Sequence, residues 1–460
     1  MAKNKKYQKI ILGLLFITKI SFSISHNQIV TIVGSGYVGL TLAAVLLEQD
    51  HTITCIDIDK DKINGLNKGH LHIYEPFLEE LLLKNSRNNK ISFKDTLLDA
   101  KKSDIYYLCV PTPLDKEGNC DLSYLYKAFS EVIEIAENSE DIIICVKSTV
   151  PPGTMQRLKN ILENKKRTNS LIYNPEFMRE GTAIADIYAN PIIIGGESLK
   201  GIEKIETINR GFSHKNDVAC IKTSFITAEM IKYSWNSYAA LRITFINELA
   251  SLSRILGSSI IDITKALSLN EELLATAAIK AGPGFGGSCL PKDTQAFLRI
   301  FELNNFSSSI MNQIIESNKN HKQKIIEIII NELEKKKNPQ IVTLWGLSFK
   351  AETNDVRYSP AIDIIQALLQ KNIKIQAYDP KANSEMKKLF PEVVFYDSAY
   401  EAARKSDYII ALTEWEEIKN IDLSKIAEIC NQRNILDTRN LYNPLDLKKF
   451  DFSYINMGRQ

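Results

Sequence analysis

Short apolar runs alternate with helix-like segments along the first half of the chain. Ile29–Val33, Thr52–Ile56 and Ile105–Val110 are short and rich in β-branched or aromatic residues, which is typical of parallel strands that are covered on both faces. Ile142–Val146 and Ile192–Ile194 repeat this pattern. Because helix-like segments separate these runs, the pattern predicts an α/β domain built on a doubly wound parallel sheet.

A long helical pattern follows at Thr227–Leu256, and Gly257 is expected to end the helix as the residue after its C-cap. Apolar residues recur along it every three or four positions, which predicts a stripe buried in the core. This stripe comprises Tyr238, Leu241, Phe245, Leu249, Leu252 and Leu256. A helix much longer than average usually joins domains or forms an oligomer interface, so we expect a homodimer formed through it.

Alternating strands and helices return after a linker that begins at Lys335. A helix is predicted at Pro360–Gln370, and four strands are predicted at Ile341–Trp345, Ile373–Ala377, Tyr408–Leu412 and Ile435–Asp437. The turn Gly346–Lys350 places Lys350 where it can meet a phosphate as a point charge. We therefore expect two Rossmann-like α/β domains with doubly wound parallel sheets, joined by a long central helix and its helical layer.

Composition narrows the functional classes without choosing one. The chain has 460 residues, enough for about three domains, with 44% hydrophobic and 24% charged residues. Its net charge of +2 gives no electrostatic case for nucleic acid or an acidic membrane surface. The seven cysteines are dispersed and form no CxxC pair. This argues against a disulfide framework or a structural zinc site and favours a reducing compartment, and no metal is expected.

The strongest single motif is Gly34-Ser35-Gly36-Tyr37-Val38-Gly39, which lies between the first predicted strand and a helix-like run. Gly34 allows the tight turn, Gly36 lets a pyrophosphate approach the backbone, and Gly39 lets helix and strand pack closely. Asp57 ends the next strand, where its carboxylate would accept from ribose hydroxyls and oppose a 2′-phosphate. The motif predicts binding of NAD rather than NADP; the alternative is a glycine-rich turn without a ligand.

Two loops follow predicted strands at the sheet edge where ligands bind in open α/β sheets. Thr112 lies in the first of these loops and Thr149 in the second, Lys147–Thr154. Both threonines are therefore candidate ligand contacts. The alternative for each is a hydroxyl bonded within its own turn.

Three further clusters carry candidate chemistry. Cys289 lies between a glycine-rich loop and Pro291, which is expected to open a helix, and a helix N-terminus near a lysine favours a reactive thiolate. Lys232 and Asn236 lie four apart on one helix, where both can donate to a developing oxyanion. A turn at 174–182 carries two carboxylates. The alternatives are a structural cysteine, a solvated helix face and a surface turn.

Seven motifs occur in the order found in the UDP-glucose/GDP-mannose 6-dehydrogenases, which the chain resembles over residues 28–460: GSGYVGL, VPTP, KSTVPPGT, NPEFMREGTA, AEMIKYSWN, GPGFGGSCLPKD and GLSFKAETNDVRYSP. The resemblance implies an NAD-binding domain at 28–222, a central dimerising domain with the cysteine loop at 223–335, and a nucleotide-sugar domain at 336–460. It also implies oxidation of the sugar C6 alcohol to a carboxylate in two NAD-dependent steps without a metal.

The resemblance assigns site residues in three groups. The implied catalytic residues are Cys289 as the nucleophile, Lys232, Asn236, Asp293, Glu176 and Thr149. The implied cofactor contacts are Gly34, Gly36, Val38, Gly39, Asp57, Lys62, Thr112, Thr149, Glu180, Lys292 and Arg357. The implied substrate contacts are Glu176, Phe177, Met178, Arg179, Glu180, Lys232, Asn236, Ala278, Ile279, Lys280, Ala281, Gly282, Gly286 and Lys350.

The sugar is less sharply implied than the reaction. Leu273 stands where members that oxidise UDP-glucose often carry an arginine, and AEMIKY and SCLPKD are close to GDP-mannose dehydrogenases. UDP-glucose is the first expectation and GDP-mannose the alternative; the GGSC sequence argues against the UDP-N-acetylmannosamine branch. Two rival classes are a Rossmann alcohol dehydrogenase in which Cys289 is structural, and a nucleotide-binding protein without catalysis.

Residues 1–27 have a basic start, an apolar run at Ile10–Ile17 and small residues after it, the shape of a secretory signal peptide. The implied chemistry needs no residue before Gln28, and its metabolites are cytoplasmic. We therefore interpret the segment as an upstream-start artefact or a weak membrane-associating tail. A cytoplasmic enzyme without stable membrane insertion is expected.

Overall fold

A computed structural model of the chain describes residues 27–86, 89–100, 102–212, 218–269, 280–335 and 341–458. The signal-like extension lies outside these residues except for its last position. The chain divides into two compact units. The first contains the chain up to Thr112 together with Asp121–Lys232, and the second contains Pro113–Cys120 together with the chain from Tyr233 onward.

The first unit is built on an eight-stranded sheet with strand order β3-β2-β1-β4-β5-β6-β7-β8. The strands are β1 (Ile29–Val33), β2 (Thr52–Ile56), β3 (Ile91–Lys94), β4 (Ile105–Leu108), β5 (Ile143–Val146), β6 (Ser170–Tyr173), β7 (Ile192–Gly196) and β8 (Cys220–Thr223). The helices are α1 (Tyr37–Glu48), α2 (Lys60–Asn67), α3 (Leu78–Ser86), α4 (Ser123–Ile135), α5 (Thr154–Asn164), α6 (Ala183–Ala189) and α7 (Leu199–Phe212), with a 3-10 turn at Leu97–Asp99.

The central strands are buried on both faces, as their apolar runs predict. All residues of β4, β5 and β6 are buried, and β1 and β2 have the predicted bounds. One prediction needs correction, because β7 pairs antiparallel with β6 while every other pairing in this sheet is parallel. The connection from β6 to β7 contains only the seven-residue α6, so the chain returns without the long helical crossover typical of parallel neighbours.

The long predicted helix is confirmed as α8 (Phe225–Leu256), and Gly257 follows it with a φ of +69°. The predicted burial of its stripe is wrong. Leu249 is partly buried, but five apolar residues are 36–69% exposed in the single chain, namely Tyr238, Leu241, Phe245, Leu252 and Leu256. Apolar spacing reveals a face that needs cover, and it does not distinguish cover by the same chain from cover by another.

The second unit adds helices and a six-stranded, fully parallel sheet with strand order β11-β10-β9-β12-β13-β14. Its strands are β9 (Ile341–Trp345), β10 (Lys374–Tyr378), β11 (Val394–Phe395), β12 (Tyr408–Ala411), β13 (Asn434–Asp437) and β14 (Ser453–Asn456). Its further helices are α9 (Ile260–Ser268), α10 (Leu290–Leu303), α11 (Ser309–Lys335), α12 (Pro360–Gln370), α13 (Asn383–Leu389), α14 (Ala399–Ala403), α15 (Glu416–Lys419), α16 (Leu423–Ile429) and α17 (Pro444–Lys448).

Local sequence explains where the predicted elements of this unit begin. Strand β9 and helix α12 have the bounds predicted from the apolar pattern. Ser359 caps α12 by accepting from the Ala361 N–H, and Pro360 occupies the first turn, where no intrahelical N–H is needed. Among the described helices, none combines the length and apolarity needed to cross a membrane.

Close packing of α1 on β1 depends on Gly39. A Cβ at Gly39 would lie 1.9 Å from the Gly34 carbonyl oxygen and 3.2 Å from a methyl group of Ile32. A Cβ at Gly36, in the same turn, would meet nothing within 4 Å. Packing therefore requires a glycine at position 39, whereas position 36 has room for a side chain.

We predict that Gly39→Ala destabilises the protein by about 3 kcal/mol, lowering Tm by roughly 5–10 °C, because the backbone oxygen cannot move away without separating helix from strand. Gly36→Ala is the matched control and should leave Tm within about 2 °C of wild type. Thermal unfolding followed by circular dichroism measures both. Equal Tm values for the two variants would contradict this account of α1 packing.

Candidate active site

The glycine turn between β1 and α1 has the geometry of a phosphate cradle. Gly34 has a φ of +103°, in the left-handed region that favours glycine, and its N–H donates to the Ile56 carbonyl at 2.8 Å. Gly36 is the N-cap of α1, with open space where a side chain would lie. Val38 follows in the first turn. The open backbone at a helix N-terminus fits the pyrophosphate of a dinucleotide.

Asp57 follows β2 and is held against the same turn. Its Oδ2 accepts from the Ser35 N–H at 3.0 Å, and its Oδ1 accepts from the Asp59 N–H at 3.0 Å. The Lys62 Nζ lies 3.9 Å from Asp57 Oδ2 and 3.8 Å from Asp59 Oδ2. Each carboxylate oxygen of Asp57 keeps acceptor capacity beyond its N–H partner, so ribose hydroxyls can still donate to it.

The loops after β4 and β5 are bonded to each other. The buried Thr112 donates its hydroxyl to the Thr149 carbonyl at 2.9 Å, and Ser148 donates its hydroxyl to the Val110 carbonyl at 2.7 Å. The hydroxyl of Thr112 is thus bonded to the neighbouring loop rather than within its own turn. Thr149 is half-buried at the carboxyl end of β5, so the structure brings these two predicted contacts together.

Lys232 and Glu176 form a nearly buried ion pair. The Lys232 Nζ donates to the Glu176 carbonyl at 2.6 Å and to Glu176 Oε1 at 3.0 Å, and the two side chains are 3% and 10% exposed. Glu176 Oε2 accepts from the Met178 N–H at 2.6 Å, and the Phe177 ring centroid lies 5.2 Å from the lysine nitrogen. The predicted ammonium donor and predicted carboxylate therefore meet.

The rest of the turn after β6 is held by two acidic residues that the sequence motifs did not assign. Asp186 receives both a bidentate ion pair and the backbone N–H from Arg179, so the predicted substrate-binding guanidinium already has a carboxylate partner. The buried Glu75 accepts from the Gly181 N–H at 2.6 Å and from the Ala183 N–H at 2.8 Å. Glu180 is half-buried between these anchor points.

Cys289 is the N-cap residue of α10 and is the exposed member of the seven cysteines. Asp293, in the first turn of α10 and 1% exposed, accepts from the Asn236 amide at 2.6 Å and lies 2.5 Å from the Lys292 Nζ. Burial alone would lower the pKa of Lys292, but the Asp293 carboxylate outweighs it and raises that pKa, so Lys292 stays cationic. A thiol, a cation, a carboxylate and an amide thus surround one helix start.

The glycine-rich loop before Cys289 packs closely on its own unit. The Gly282 N–H donates to Asn247 Oδ1 at 3.0 Å, and its carbonyl lies 2.7 Å from His321 Nε2. A Cβ at Gly286 would lie 2.4 Å from the Tyr358 carbonyl oxygen. In the same predicted segment Ala281 is buried and Lys280 exposed, whereas Ala278, Ile279 and Leu273 lie outside the described residues.

The two predicted cations of the C-terminal sheet have different surroundings. Lys350 is half-buried, with its Nζ 5.6 Å from the Phe349 ring centroid. Arg357, predicted to contact the cofactor, makes a bidentate ion pair with Asp355 at 2.6–3.0 Å. Gly287 donates its N–H to the Arg357 carbonyl at 2.8 Å, so the backbone of this loop is bound to the glycine-rich loop.

Three buried charged residues hold the predicted loops and were not predicted from sequence. Lys147 donates to the Asn174 carbonyl at 3.0 Å and to Asn174 Oδ1 at 2.9 Å, and burial lowers its pKa. Glu75 and Glu229 each accept two backbone N–H groups. In the sequence, each of these charged residues lies next to apolar residues. This pattern indicates a buried side chain with a partner, but it does not identify the partner.

Comparison with known proteins gives matches over nearly the whole chain. UDP-glucose 6-dehydrogenase from Rickettsia bellii is 35% identical over 433 residues, covering 93% of this chain and 99% of that protein. UDP-glucose 6-dehydrogenase TuaD from Bacillus subtilis is 35% identical over 436 residues, covering 94% and 93%. The solved UDP-glucose dehydrogenase of the archaeon Pyrobaculum islandicum superposes with a TM-score of 0.83 at 26% identity, covering 96% and 100%.

Sequence models of one family match three consecutive parts of the chain. Residues 28–213 match its NAD binding domain, residues 226–320 its central domain and residues 343–444 its UDP binding domain. The NAD-binding match coincides with the sheet that carries Gly34, Gly36 and Asp57, whose geometry fits a dinucleotide. The chain therefore belongs to the UDP-glucose/GDP-mannose dehydrogenase family and uses NAD as its cofactor.

Proposed function

We propose that this chain oxidises the C6 hydroxyl of UDP-glucose to a carboxylate. One UDP-glucose, two NAD⁺ and one water give one UDP-glucuronate, two NADH and three protons. The observation that carries the proposal is the helix start at Cys289, where an exposed thiol stands beside Lys292 and Asp293. A four-electron oxidation needs such a thiol, because a free aldehyde has no alkoxide to expel a second hydride.

The glycine turn and Asp57 hold the cofactor in this proposal. The pyrophosphate lies at Gly36 and Val38. Asp57 and Lys62 bind the adenosine ribose, and the negative charge of Asp57 disfavours a 2′-phosphate. Thr112, Thr149, Glu180, Lys292 and Arg357 are the further proposed contacts. NAD⁺, when bound, accepts a hydride from the sugar C6 at each of the two oxidations.

Cys289 is the nucleophile of the second oxidation. Its thiolate attacks the C6 aldehyde, forming a carbon–sulfur bond and a thiohemiacetal alkoxide. Loss of a hydride from that adduct leaves a thioester, and water then attacks the thioester carbon and releases the thiolate with the carboxylate product. The position of Cys289 at the N-terminus of α10, next to Lys292, favours the thiolate in both halves of this sequence.

The remaining catalytic residues stabilise charge or move protons. Lys232 and Asn236 donate to the oxygen on C6 while it carries negative charge. Asp293 and Glu176 orient and deprotonate the attacking water, with Thr149 as a further contact. Their present hydrogen bonds, Lys232 to Glu176 and Asn236 to Asp293, support these roles because each pair holds a donor and an acceptor in place.

The substrate is held by the turn after β6, the glycine-rich loop and Lys350. The proposed contacts are Glu176, Phe177, Met178, Arg179, Glu180, Lys232, Asn236, Ala278, Ile279, Lys280, Ala281, Gly282, Gly286 and Lys350. Lys350 meets the diphosphate as a cation. The match of residues 343–444 to a UDP binding domain supports a uridine nucleotide.

The apolar stripe of α8 supports a homodimer. Its five exposed apolar residues lie on one helix within the second unit, and contiguous apolar surface of this kind usually marks an interface. Because UDP-glucose and NAD are cytoplasmic metabolites, we also propose a cytoplasmic location.

We predict two NADH for each UDP-glucose consumed, measured by absorbance against the acid product. Parallel reactions with GDP-mannose and UDP-N-acetylglucosamine should give less than about one-hundredth of that kcat/KM, because a base or sugar that leaves binding groups unpaired loses several kcal/mol. One NADH per sugar would contradict the four-electron reaction. Faster turnover of GDP-mannose would replace the substrate and keep the chemistry.

We predict that Cys289→Ser lowers acid production more than about a hundredfold while NAD affinity stays within about twofold, since a hydroxyl is a far poorer nucleophile and leaving group than a thiolate. Cys430→Ser, a half-buried cysteine at the end of α16, is the matched control and should keep full activity. Full acid production by Cys289→Ser would make Cys289 structural and support an ordinary alcohol dehydrogenase.

We predict that the wild-type protein has the mass of at least a dimer at micromolar concentration in light scattering. Phe245→Glu, 53% exposed in the single chain, should shift it toward monomer because a charge then replaces an apolar contact. Arg254→Gln, at an exposed position on the same helix, is the control because it changes the net charge by the same one unit without removing an apolar contact. A monomeric wild-type mass would overturn the interface.

A further inference from the structure

Glu229 is a buried carboxylate to which the reaction assigns no role. It lies on α8, three residues before Lys232, and is 0% exposed. Its Oε2 accepts from the Gly153 N–H at 2.7 Å and its Oε1 from the Met155 N–H at 2.7 Å. Both carboxylate oxygens are therefore committed to the backbone of a segment more than seventy residues earlier in the chain.

The segment that Glu229 holds is the end of the Thr149 loop. Pro151 and Pro152 carry no N–H with which to anchor the loop, and Gly153 has a φ of +89°. The next residue, Thr154, is fully buried and donates its hydroxyl to the Pro151 carbonyl at 2.7 Å. The loop therefore has few backbone N–H groups that can anchor it. Glu229 accepts hydrogen bonds from two N–H groups at the N-terminus of α5.

The helix side of this contact is also fixed. Ala228, beside Glu229, packs so closely on β7 that a Cβ at Gly195 would lie 2.8 Å from its methyl group. Lys232, one turn further along α8, donates to Glu176. One helical segment thus binds the Thr149 loop through Glu229 and the Glu176 turn through Lys232, which sets the spacing of the two loops.

A carboxylate at this position costs free energy, because burial disfavours its charged form. Burial raises the pKa of Glu229 to about 7, while the N–H groups of Met155 and Gly153 and the Arg157 guanidinium act to lower it. A glutamine would avoid the cost of burying a charge but offers one acceptor oxygen for two N–H donors. The geometry requires two acceptors, and only a carboxylate of this length supplies them.

We propose that Glu229 is a positioning residue that acts through Thr149: by binding Gly153 and Met155 it fixes the loop that presents the Thr149 hydroxyl. This inference rests on the proposed role of Thr149 in catalysis and cofactor binding. Loss of the two hydrogen bonds that Glu229 accepts displaces Thr149, and it removes no group that touches the substrate. Glu229 and Thr149 therefore belong to one energetic unit.

The test is a double-mutant cycle with Glu229→Gln and Thr149→Val. We expect each single variant to lose about tenfold in kcat, because small displacements at a reacting centre carry losses of this size. The double variant should be no more than about twofold below the worse single variant, whereas independent effects would multiply to about a hundredfold. The same cycle on the Kd for NAD, measured without sugar, should show the same coupling.

Glu75→Gln is the matched control, because Glu75 is also buried and also accepts two backbone N–H groups, but from the turn after β6. Its effect should multiply with that of Thr149→Val. If Glu229→Gln does not fold, Glu229→Asp, which keeps the charge but is too short to reach both donors, replaces it in the cycle.

Multiplicative losses for Glu229 and Thr149, or wild-type kinetics for both Glu229 variants, would overturn the positioning role and leave the proposed reaction intact. Wild-type kcat and NAD affinity for Thr149→Val would remove Thr149 from the mechanism and the inference with it. If no nucleotide sugar is turned over, the NAD cycle still decides the coupling, so failure of the reaction and failure of the inference give different results.

Discussion

The loops that follow the strands of the first sheet depend on buried charged side chains that bind their backbone. Such loops contain N–H and carbonyl groups that are shielded from water and have no strand partner, and each unpaired group costs about 1–3 kcal/mol. Glu75 and Glu229 supply acceptors for N–H groups, while Lys147 and Lys232 supply donors for the carbonyls of Asn174 and Glu176. Charged side chains are suited to this task because they make the stronger hydrogen bonds.

The two sheets repeat one design, and a single aspartate distinguishes them. In both, the strand order begins 3-2-1-4, and the glycine after the first strand donates its N–H to the last residue of the second strand at 2.8 Å. Asp57 directly follows the second strand in one sheet, and Asp379 does so in the other. Asp379 is 1% exposed, and one of its oxygens accepts from Leu347, Ser348 and Trp415.

This difference explains why one sheet suits NAD and the other does not. Asp57 accepts one N–H on each oxygen and keeps capacity for ribose hydroxyls. Asp379 uses its carboxylate to fix the turn that leads to Lys350, so it cannot also receive a ribose. The same α/β framework thus serves two nucleotides. The difference lies in how many acceptor sites of one carboxylate are already occupied by donors from the protein.

Sequence alone predicts those parts of the fold that local pattern determines. β1, β2 and β9 have the predicted bounds because their apolar runs end at a glycine or an aspartate, and α12 begins as predicted because Ser359 and Pro360 mark its start. The short β3 and β8 contain polar residues and were not predicted. The hydrogen bonds from Gly153 and Met155 to Glu229 were not predictable either, since these partners lie 76 and 74 residues away in the sequence.

The cysteines show how structure sharpens a sequence hypothesis about the nucleophile. Burial raises the pKa of Cys55, Cys109, Cys145, Cys220 and Cys430, to about 12 for Cys109 and Cys145, so thiolates are disfavoured there at neutral pH. Cys289 instead is exposed at the N-terminus of helix α10, the kind of position at which reactive cysteines are found. A thiolate nucleophile must be accessible, and Cys289 is the exposed one of the seven cysteines, which the order of the motifs alone does not reveal.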